Sequence, residues 1–252
     1  MSEKPRSMRV EGIILKHRNW GEADRMLAIC TRELGKVQVV AKGVRKPRSR
    51  KAGHIEPFTC SSLQLARGRS FYTLTQAETL LPFLNLREDL VSLGYASYLI
   101  ELLDRFTYDE EENPAIYRLL KNTLVYLERG DAPPAAVHYY EIRLLDQVGF
   151  RPQLFRCVSC EREIQPQNQF FSAPQGGAVC PRCGDTTPDV RPISMQALKY
   201  LRHFQRSSYE DAARVNFGPA IEAEIERLMG YYLTYLLERG LNSPNFIRRM
   251  RE

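Results

Sequence analysis

Apolar and polar positions alternate in short runs through the first third of the chain. Branched and aromatic residues fill these runs, and turn residues such as Leu34-Gly35 separate them. This pattern predicts strands rather than helices. It places five strands at residues 10–18, 25–31, 36–43, 58–67 and 71–80. Five short strands in so few residues suit an OB-fold barrel, although a small sandwich or an SH3-like barrel would fit the same pattern.

The periodicity changes near Pro82 to the spacing of amphipathic helices. One apolar stripe runs from Leu86 to Phe106, and Asn113-Pro114 is typical of an N-cap followed by proline in the first turn. Further helices are predicted at residues 114–130, 133–149, from 194, from a capping box at 207–210, and at 219–239. The predicted fold is therefore α+β and multidomain, with an OB-fold barrel at 1–80 and an all-α domain at 81–252.

Four of the six cysteines form two Cys-x-x-Cys pairs in a segment, residues 150–190, that interrupts the helical pattern. Nineteen residues separate the pair Cys157 and Cys160 from the pair Cys180 and Cys183, which is the spacing of a four-cysteine zinc site. Two such turns can present four thiolates to one tetrahedral ion and leave no position for water. We therefore predict one structural zinc ion in an inserted segment. An unmetallated or redox-active set and iron–sulfur ligation are the alternatives.

Charge is distributed unevenly along the chain. Residues 1–80 contain sixteen Lys and Arg against seven Asp and Glu, whereas residues 81–252 contain twenty against twenty-three. The first part therefore carries a net charge of +9 and the remainder −3, which together give the formal +6. This asymmetry favours a polyanionic partner for the predicted barrel.

Much of this positive charge lies directly behind the third predicted strand, where no acidic residue occurs between Ala41 and Ile55. The cations are Lys42, Arg45, Lys46, Arg48, Arg50 and Lys51. We predict an exposed, mobile loop that binds DNA through its phosphates, although a solvated loop would have the same composition. Phosphate contacts carry no base-sequence information. The candidates for stacking on bases, each of which also suits a core position, are Trp20, Phe58, Phe71 and Tyr72.

No pattern in the sequence indicates catalysis. A glycine-rich phosphate-binding loop is absent, and no carboxylate cluster has the spacing of a metal-dependent nuclease. We therefore expect a binding protein with no catalytic residues, not an enzyme. No apolar run reaches the roughly 18–20 residues that cross a bilayer, and the N-terminus lacks the apolar core of a signal peptide. We expect a cytoplasmic protein without a membrane partner.

Several phrases of the first eighty residues resemble the RecO family. They are, in order, residues 11–15 (EGIIL), 19–24 (NWGEAD), 31–36 (TRELGK), 41–46 (AKGVRK) with Ser49, Pro57-Phe58, and Glu78. The helical remainder, interrupted by a four-cysteine knuckle, is similar to the architecture of the family too. Together with the cysteine quartet, these phrases make the resemblance specific.

The resemblance implies an N-terminal OB-fold, a helical domain and a zinc-binding segment. It also implies binding to single- and double-stranded DNA, annealing of complementary strands, and a nucleoid-associated role. The implied partners are RecR and the single-strand binding protein, and the implied outcome is placement of RecA on gapped DNA during repair. By the same resemblance, the four cysteines are expected to bind zinc and residues 42–51 are expected to bind DNA. A zinc-ribbon, OB-like factor that binds RNA or polymerase is one rival, and an enzyme with an unrecognised site is the other.

Overall fold

The computed structural model describes residues 6–130, 134–238, 240–241 and 243. The chain divides into two compact units, Met1–Gly130 and Asp131–Glu252. The first contains five strands and three helices, and the second contains five helices and a small sheet among the residues described. None of the described helices is long and apolar enough to cross a lipid bilayer.

The five strands of the first unit form one closed sheet. They are β1 (Ser7–Trp20), β2 (Asp24–Thr31), β3 (Gly35–Ala41), β4 (Cys60–Arg67) and β5 (Tyr72–Leu81). Their hydrogen-bonded order is β1-β2-β3-β5-β4, and β4 pairs back with β1, so that the sheet closes into a barrel. Every pairing is antiparallel except the short parallel contact of β3 with β5 at Val39 and Val40. The prediction of five strands is confirmed, with small shifts at their ends.

Strand β1 is longer than the alternation predicted because its two ends pair with different neighbours. Its first half pairs with β4 and its second half with β2, and the register shifts between Ile14 and Lys16. Such an irregularity bends a strand and raises its twist. The bend lets a strand of 14 residues follow the barrel wall, with Ile14, Ile29 and Leu63 in the core.

Three helices complete the first unit. They are α1 (Leu84–Glu88), α2 (Leu90–Phe106) and α3 (Pro114–Glu128). The single apolar stripe predicted here is interrupted because Asp89 adopts an extended conformation and its carboxylate accepts the N–H of Ser92, which begins α2. Asn113 caps α3 as predicted. Compactness groups these helices with the barrel, whereas the domain boundary at residue 80 stays a prediction.

The second unit is mostly helical. Its helices are α4 (Pro134–Gln147), α5 (Pro181–Gly184), α6 (Met195–Arg206), α7 (Tyr209–Ala213) and α8 (Pro219–Leu237). Ser208, and not the predicted Ser207, caps α7 by accepting the N–H of Asp211, while Ser207 ends α6. The predicted last residue of the final helix, 239, lies outside the described residues.

A small antiparallel sheet corrects the prediction of an all-α second domain. Its strands are β6 (Gln169–Ser172), β7 (Gly177–Val179) and β8 (Val190–Ile193), with β6 in the middle. Strands of three or four residues are too short to produce a readable alternation. The segment predicted to hold metal therefore has a β framework that its sequence pattern did not indicate.

Candidate nucleic-acid interface and candidate metal centre

The six predicted cations lie on the segment that joins β3 to β4, which we call the basic loop (residues 42–51). The loop is a series of turns followed by one 3-10 turn at Ala52–His54. Five of its cations are exposed and Lys51 is half-buried. Val44 within the loop and Ile55 just after it are buried in the barrel core. Two apolar side chains thus fix a segment whose charges face solvent.

Hydrogen bonds hold the basic loop against the turn between β1 and β2. The N–H of Gly43 donates to Asp24 Oδ1 at 2.7 Å, and Gly43 has the positive φ of 65° that favours glycine. The N–H of Arg45 donates to Ala23 O at 2.9 Å, and its guanidinium donates to Glu22 O at 3.1 Å. These bonds attach the first half of the loop to that turn, while the mobility of the loop stays a prediction.

Lys51 differs from the other cations of the basic loop. Its ammonium donates to two backbone oxygens, Lys42 O at 3.2 Å and Leu74 O at 3.1 Å. Lys51 therefore braces the loop from inside. Across residues 6–130 and 134–238, no carboxylate lies within ion-pair distance of any of the six cations. Within the described residues, the loop therefore presents positive charge that no ion pair neutralises.

The structure sorts the four aromatic candidates for base stacking. Tyr72 is buried in the barrel core. Phe58 is half-buried, and its N–H donates to Ile14 O at 2.8 Å. Trp20 and Phe71 are exposed and contact each other, with ring centroids 6.4 Å apart. Of the four candidates, Trp20 and Phe71 are therefore the most exposed.

The four cysteines predicted to bind metal lie together in the second unit. Their Sγ atoms are all within 4.8 Å of one another, and all four thiols are free. Cys160 Sγ lies 3.8 Å from Cys180 Sγ. Cys157 is buried, and the other three are partly exposed. This cluster could hold one metal ion.

Two tight turns position the cysteine pairs. In the first turn, the N–H of Glu161 donates to Cys157 O at 2.8 Å, and the N–H of Cys157 donates to Arg162 O at 2.8 Å. In the second turn, Cys180 is the N-cap of α5 and its carbonyl accepts the N–H of Cys183 at 3.0 Å. Each pair therefore presents two sulfurs from one short turn, as the Cys-x-x-Cys spacing predicted.

A close contact with the small sheet fixes the second turn. A Cβ on Gly184 would lie 2.3 Å from Cδ2 of the Phe170 ring on β6, so only glycine fits this position. The N–H of Val158 also donates to Ala178 O of β7 at 2.9 Å. The sheet therefore holds both turns. The sequence offered one signal of this arrangement, which is a glycine directly after the second cysteine pair.

Hydrogen bonding shifts the pKa values of two thiols of the cluster in opposite directions. Partial burial acts to raise the pKa of Cys157, but the N–H donors of Cys180, Cys160 and Ser159 outweigh it and lower the pKa to about 6. The hydrogen bonds of Cys183 with the sulfurs of Cys180 and Cys160 raise its pKa to about 12. The thiolate form is therefore favoured more at Cys157 than at Cys183.

Both parts of the chain match family models. Residues 4–83 match the model described as Recombination protein O N terminal, and residues 87–245 match Recombination protein O C terminal. A protein of Roseiflexus sp. named DNA repair protein RecO is 40% identical over 249 residues, which cover 99% of this chain and 88% of the relative. A protein of Symbiobacterium thermophilum with the same name is 36% identical over 96% of this chain and 97% of its own length.

These matches identify the class of this protein as the recombination and DNA repair proteins. The barrel, the helical part and the cysteine cluster agree with that class. The two models account for nearly all of the chain, in the order in which the barrel and the helices occur. The chain belongs to the RecO family. The resemblance in the short N-terminal phrases is thereby confirmed.

Proposed function

We propose that this chain is a non-enzymatic recombination mediator that binds single- and double-stranded DNA and anneals complementary single strands. With RecR, it assists the loading of RecA onto DNA coated with the single-strand binding protein. We place this activity in the cytoplasm, at the nucleoid. The observation that carries the proposal is the basic loop, whose outward cations have no carboxylate partner in the described structure. Membership of the RecO family supports the same role.

Charge neutralisation explains how such a loop would anneal strands. Two complementary strands repel each other through their phosphates, and cations bound between them lower that repulsion. Lys42, Lys46 and Arg48 are exposed on a loop held in place by Val44 and Ile55. Because phosphate contacts do not read bases, the base edges stay free to pair. The loop therefore suits a mediator without sequence preference.

We further propose that the barrel is an OB-fold. The strand order β1-β2-β3-β5-β4 with one parallel contact between β3 and β5 supports this assignment. We assign residues 1–80 as the DNA-binding domain and residues 81–252 as a helical domain for protein partners, with residues 150–190 as the inserted metal segment. The family models divide the chain at nearly the same position, and the slightly acidic charge of the second part supports a protein partner.

We propose that the cysteine cluster holds one structural zinc ion. Four sulfurs placed about 2.3 Å from a tetrahedral zinc ion lie roughly 3.8 Å apart, and the Cys160–Cys180 separation is 3.8 Å. Four thiolates leave no ligand position for water or substrate, so the ion would join the two turns and take no part in catalysis. Cys157 and Cys183 would complete the tetrahedron.

Annealing of labelled complementary oligonucleotides, without ATP, tests the proposed function. We expect the chain to accelerate annealing over a protein-free reaction, and the variant Lys46→Ala/Arg48→Ala to lose most of that acceleration. The matched control is Arg118→Ala/Arg129→Ala, which removes two exposed arginines of the same compact unit, both outside the basic loop. No acceleration by the unmodified chain, or equal loss in the two variants, would contradict the proposal.

A further inference from the structure

We infer that Trp20 and Phe71 form a base-stacking platform that binds the unpaired bases of single-stranded DNA beside the basic loop. The inference rests on the proposed function, because it needs phosphates to be held at that loop. It goes further by naming the part of the ligand that the rings recognise. It also gives a reason for the chain to engage single strands through more than their charge.

Two exposed aromatic rings meet where two connections of the barrel come together. Trp20 is the last residue of β1, and Phe71 directly precedes β5. The two residues are 41% and 40% exposed, and their rings meet edge-on at an interplanar angle of 72°. Large aromatic rings normally contribute buried area to a core. Here the barrel core is completed by other side chains, which leaves this pair available to a ligand.

One arginine contacts the platform, and two more precede Phe71 by four and two residues in the sequence. The guanidinium carbon of Arg18 lies 5.1 Å from the centroid of the Trp20 ring, which is within cation–π distance. Arg67, the last residue of β4, and Arg69, in the connection to β5, are both exposed. An aromatic surface with positive charge around it suits a ligand that combines flat rings with an anionic backbone.

Continuity with the basic loop supports the same ligand. Trp20 is followed directly by the turn of residues 21–23, and this is the turn to which the basic loop is bonded. Arg45 donates to Ala23 O through its N–H and to Glu22 O through its guanidinium. Trp20 therefore directly precedes a turn that is hydrogen-bonded to the basic loop. Glu22 is the acidic side chain of that turn, while the carboxylate of Asp24 accepts a hydrogen bond from the N–H of Gly43.

The chemistry favours a single strand over a duplex. In a duplex the bases stack on each other, and their faces are not available to a protein ring. In a single strand every base offers a flat face, so stacking tolerates any sequence. The β1–β2 and β4–β5 connections that carry the two rings are also those through which OB-folds bind oligonucleotides. The ligand of the platform is therefore an unpaired base of single-stranded DNA.

Trp20 is the only tryptophan of the chain, so its fluorescence reports on the platform alone. The full-length protein is titrated with an oligothymidylate and with an abasic oligonucleotide of the same length and phosphate number. We expect the oligothymidylate to quench the tryptophan emission at saturation and the abasic strand to bind without comparable quenching. Equal quenching by both strands, or none by either, would overturn the platform.

Affinity measurements on variants give a second test that does not need tryptophan emission. Anisotropy of a labelled oligothymidylate should report roughly 5- to 150-fold weaker binding for Phe71→Ala and for Trp20→Ala. Trp20→Phe should recover most of the affinity. The dependence of log K on log salt should keep its slope, because no phosphate contact is lost. Tyr108→Ala, which removes an aromatic side chain that is 81% exposed in the same compact unit, is the control and should leave affinity unchanged.

The outcomes separate this inference from the function on which it rests. If the chain binds both strands equally and Phe71→Ala binds like the unmodified protein, the platform is refuted and the proposed DNA binding stands. If the chain binds neither strand in dilute buffer, the proposed function and the platform both fail. Circular dichroism of each variant shows whether its fold is retained, and Trp20→Phe keeps the test valid if Trp20→Ala does not fold.

Discussion

Single charged side chains join the barrel to its helices in the first unit. Asp104, in α2, receives Lys16 Nζ at 2.5 Å and Lys36 Nζ at 3.2 Å. The Lys36 side chain is only 8% exposed, and its ammonium also donates to Asp104 O and to Thr107 O. Partial burial acts to raise the pKa of Asp104, but the two ammonium groups outweigh it and hold that pKa below its ordinary value of 3.8. The fold is therefore stabilised by the ionised form of this carboxyl.

Replacing Asp104 with asparagine should remove a pH-dependent part of the stability. A folded-state pKa below the unfolded one contributes stability that is present above the unfolded value and is lost as pH falls through the folded value. We expect Asp104→Asn to lower the free energy of unfolding by about 1–3 kcal/mol near neutral pH. The difference from the unmodified protein should shrink steadily below about pH 4. Urea unfolding from pH 7 to pH 3 measures it, and a difference independent of pH would contradict this assignment.

Short elements hold the cysteine cluster, and none of them is stable alone. The strands β6, β7 and β8 have three or four residues, and α5 has four. Such elements cannot offset the entropy of their ordering without a further link. A tetrathiolate ion that joins Cys157 on one turn to Cys180 on the other would provide that link.

The proposed zinc site predicts how many zinc ions the chain binds and which cysteine variant loses the ion. The purified chain should contain one zinc ion per molecule, and Cys157→Ser should lose the ion and at least roughly 3 kcal/mol of stability. Cys30→Ala is the control, because Cys30 is a buried thiol of the barrel whose pKa desolvation raises to about 12. It should keep the ion. Metal analysis by mass spectrometry together with thermal melting decides, and a zinc-free chain with an unmodified melting curve would refute the proposal.

The sequence predicted elements well where periodicity is long enough to read. The five strands and the N-cap at Asn113 are confirmed. The break between α1 and α2 at Asp89 was missed because the apolar spacing continues across it. The interruption arises from the local N-cap that Asp89 forms. The sheet of β6 to β8 was missed because its strands are very short. These errors concern local geometry that a residue pattern records only weakly.

The candidate sites were predictable in residue type but not in surroundings. The Cys-x-x-Cys pairs indicated four clustered sulfurs, which the structure brings together. The basic loop was predicted from charge alone, yet its attachment to residues 22–24 depends on long-range hydrogen bonds that no local pattern encodes. Likewise, only the folded barrel brings Trp20 next to Phe71. The sequence therefore predicts the residue types of the candidate sites, but it does not predict the contacts between residues that are distant along the chain.

At the scale of the whole molecule, charge and the two family models divide the chain at nearly the same position, whereas the compact units divide it at Gly130. The net charge is +9 over residues 1–80 and −3 over residues 81–252, and the family models meet between residues 83 and 87. Residues 1–80 thus carry the net positive charge of the protein, while the cysteine cluster lies within residues 81–252, whose net charge is −3. This distribution of charge supports the proposal that the first part of the chain holds DNA.

The salt dependence of binding to a single-stranded oligonucleotide tests the central claim most directly. If the five outward cations of the basic loop each neutralise one phosphate, log K should fall with log salt at a slope of about −3.5. For Lys46→Ala/Arg48→Ala the slope should be shallower by about 1.4, and for Arg118→Ala/Arg129→Ala it should not change. Failure to bind in dilute buffer, or the same slope in all three proteins, would contradict the assignment of the basic loop to DNA.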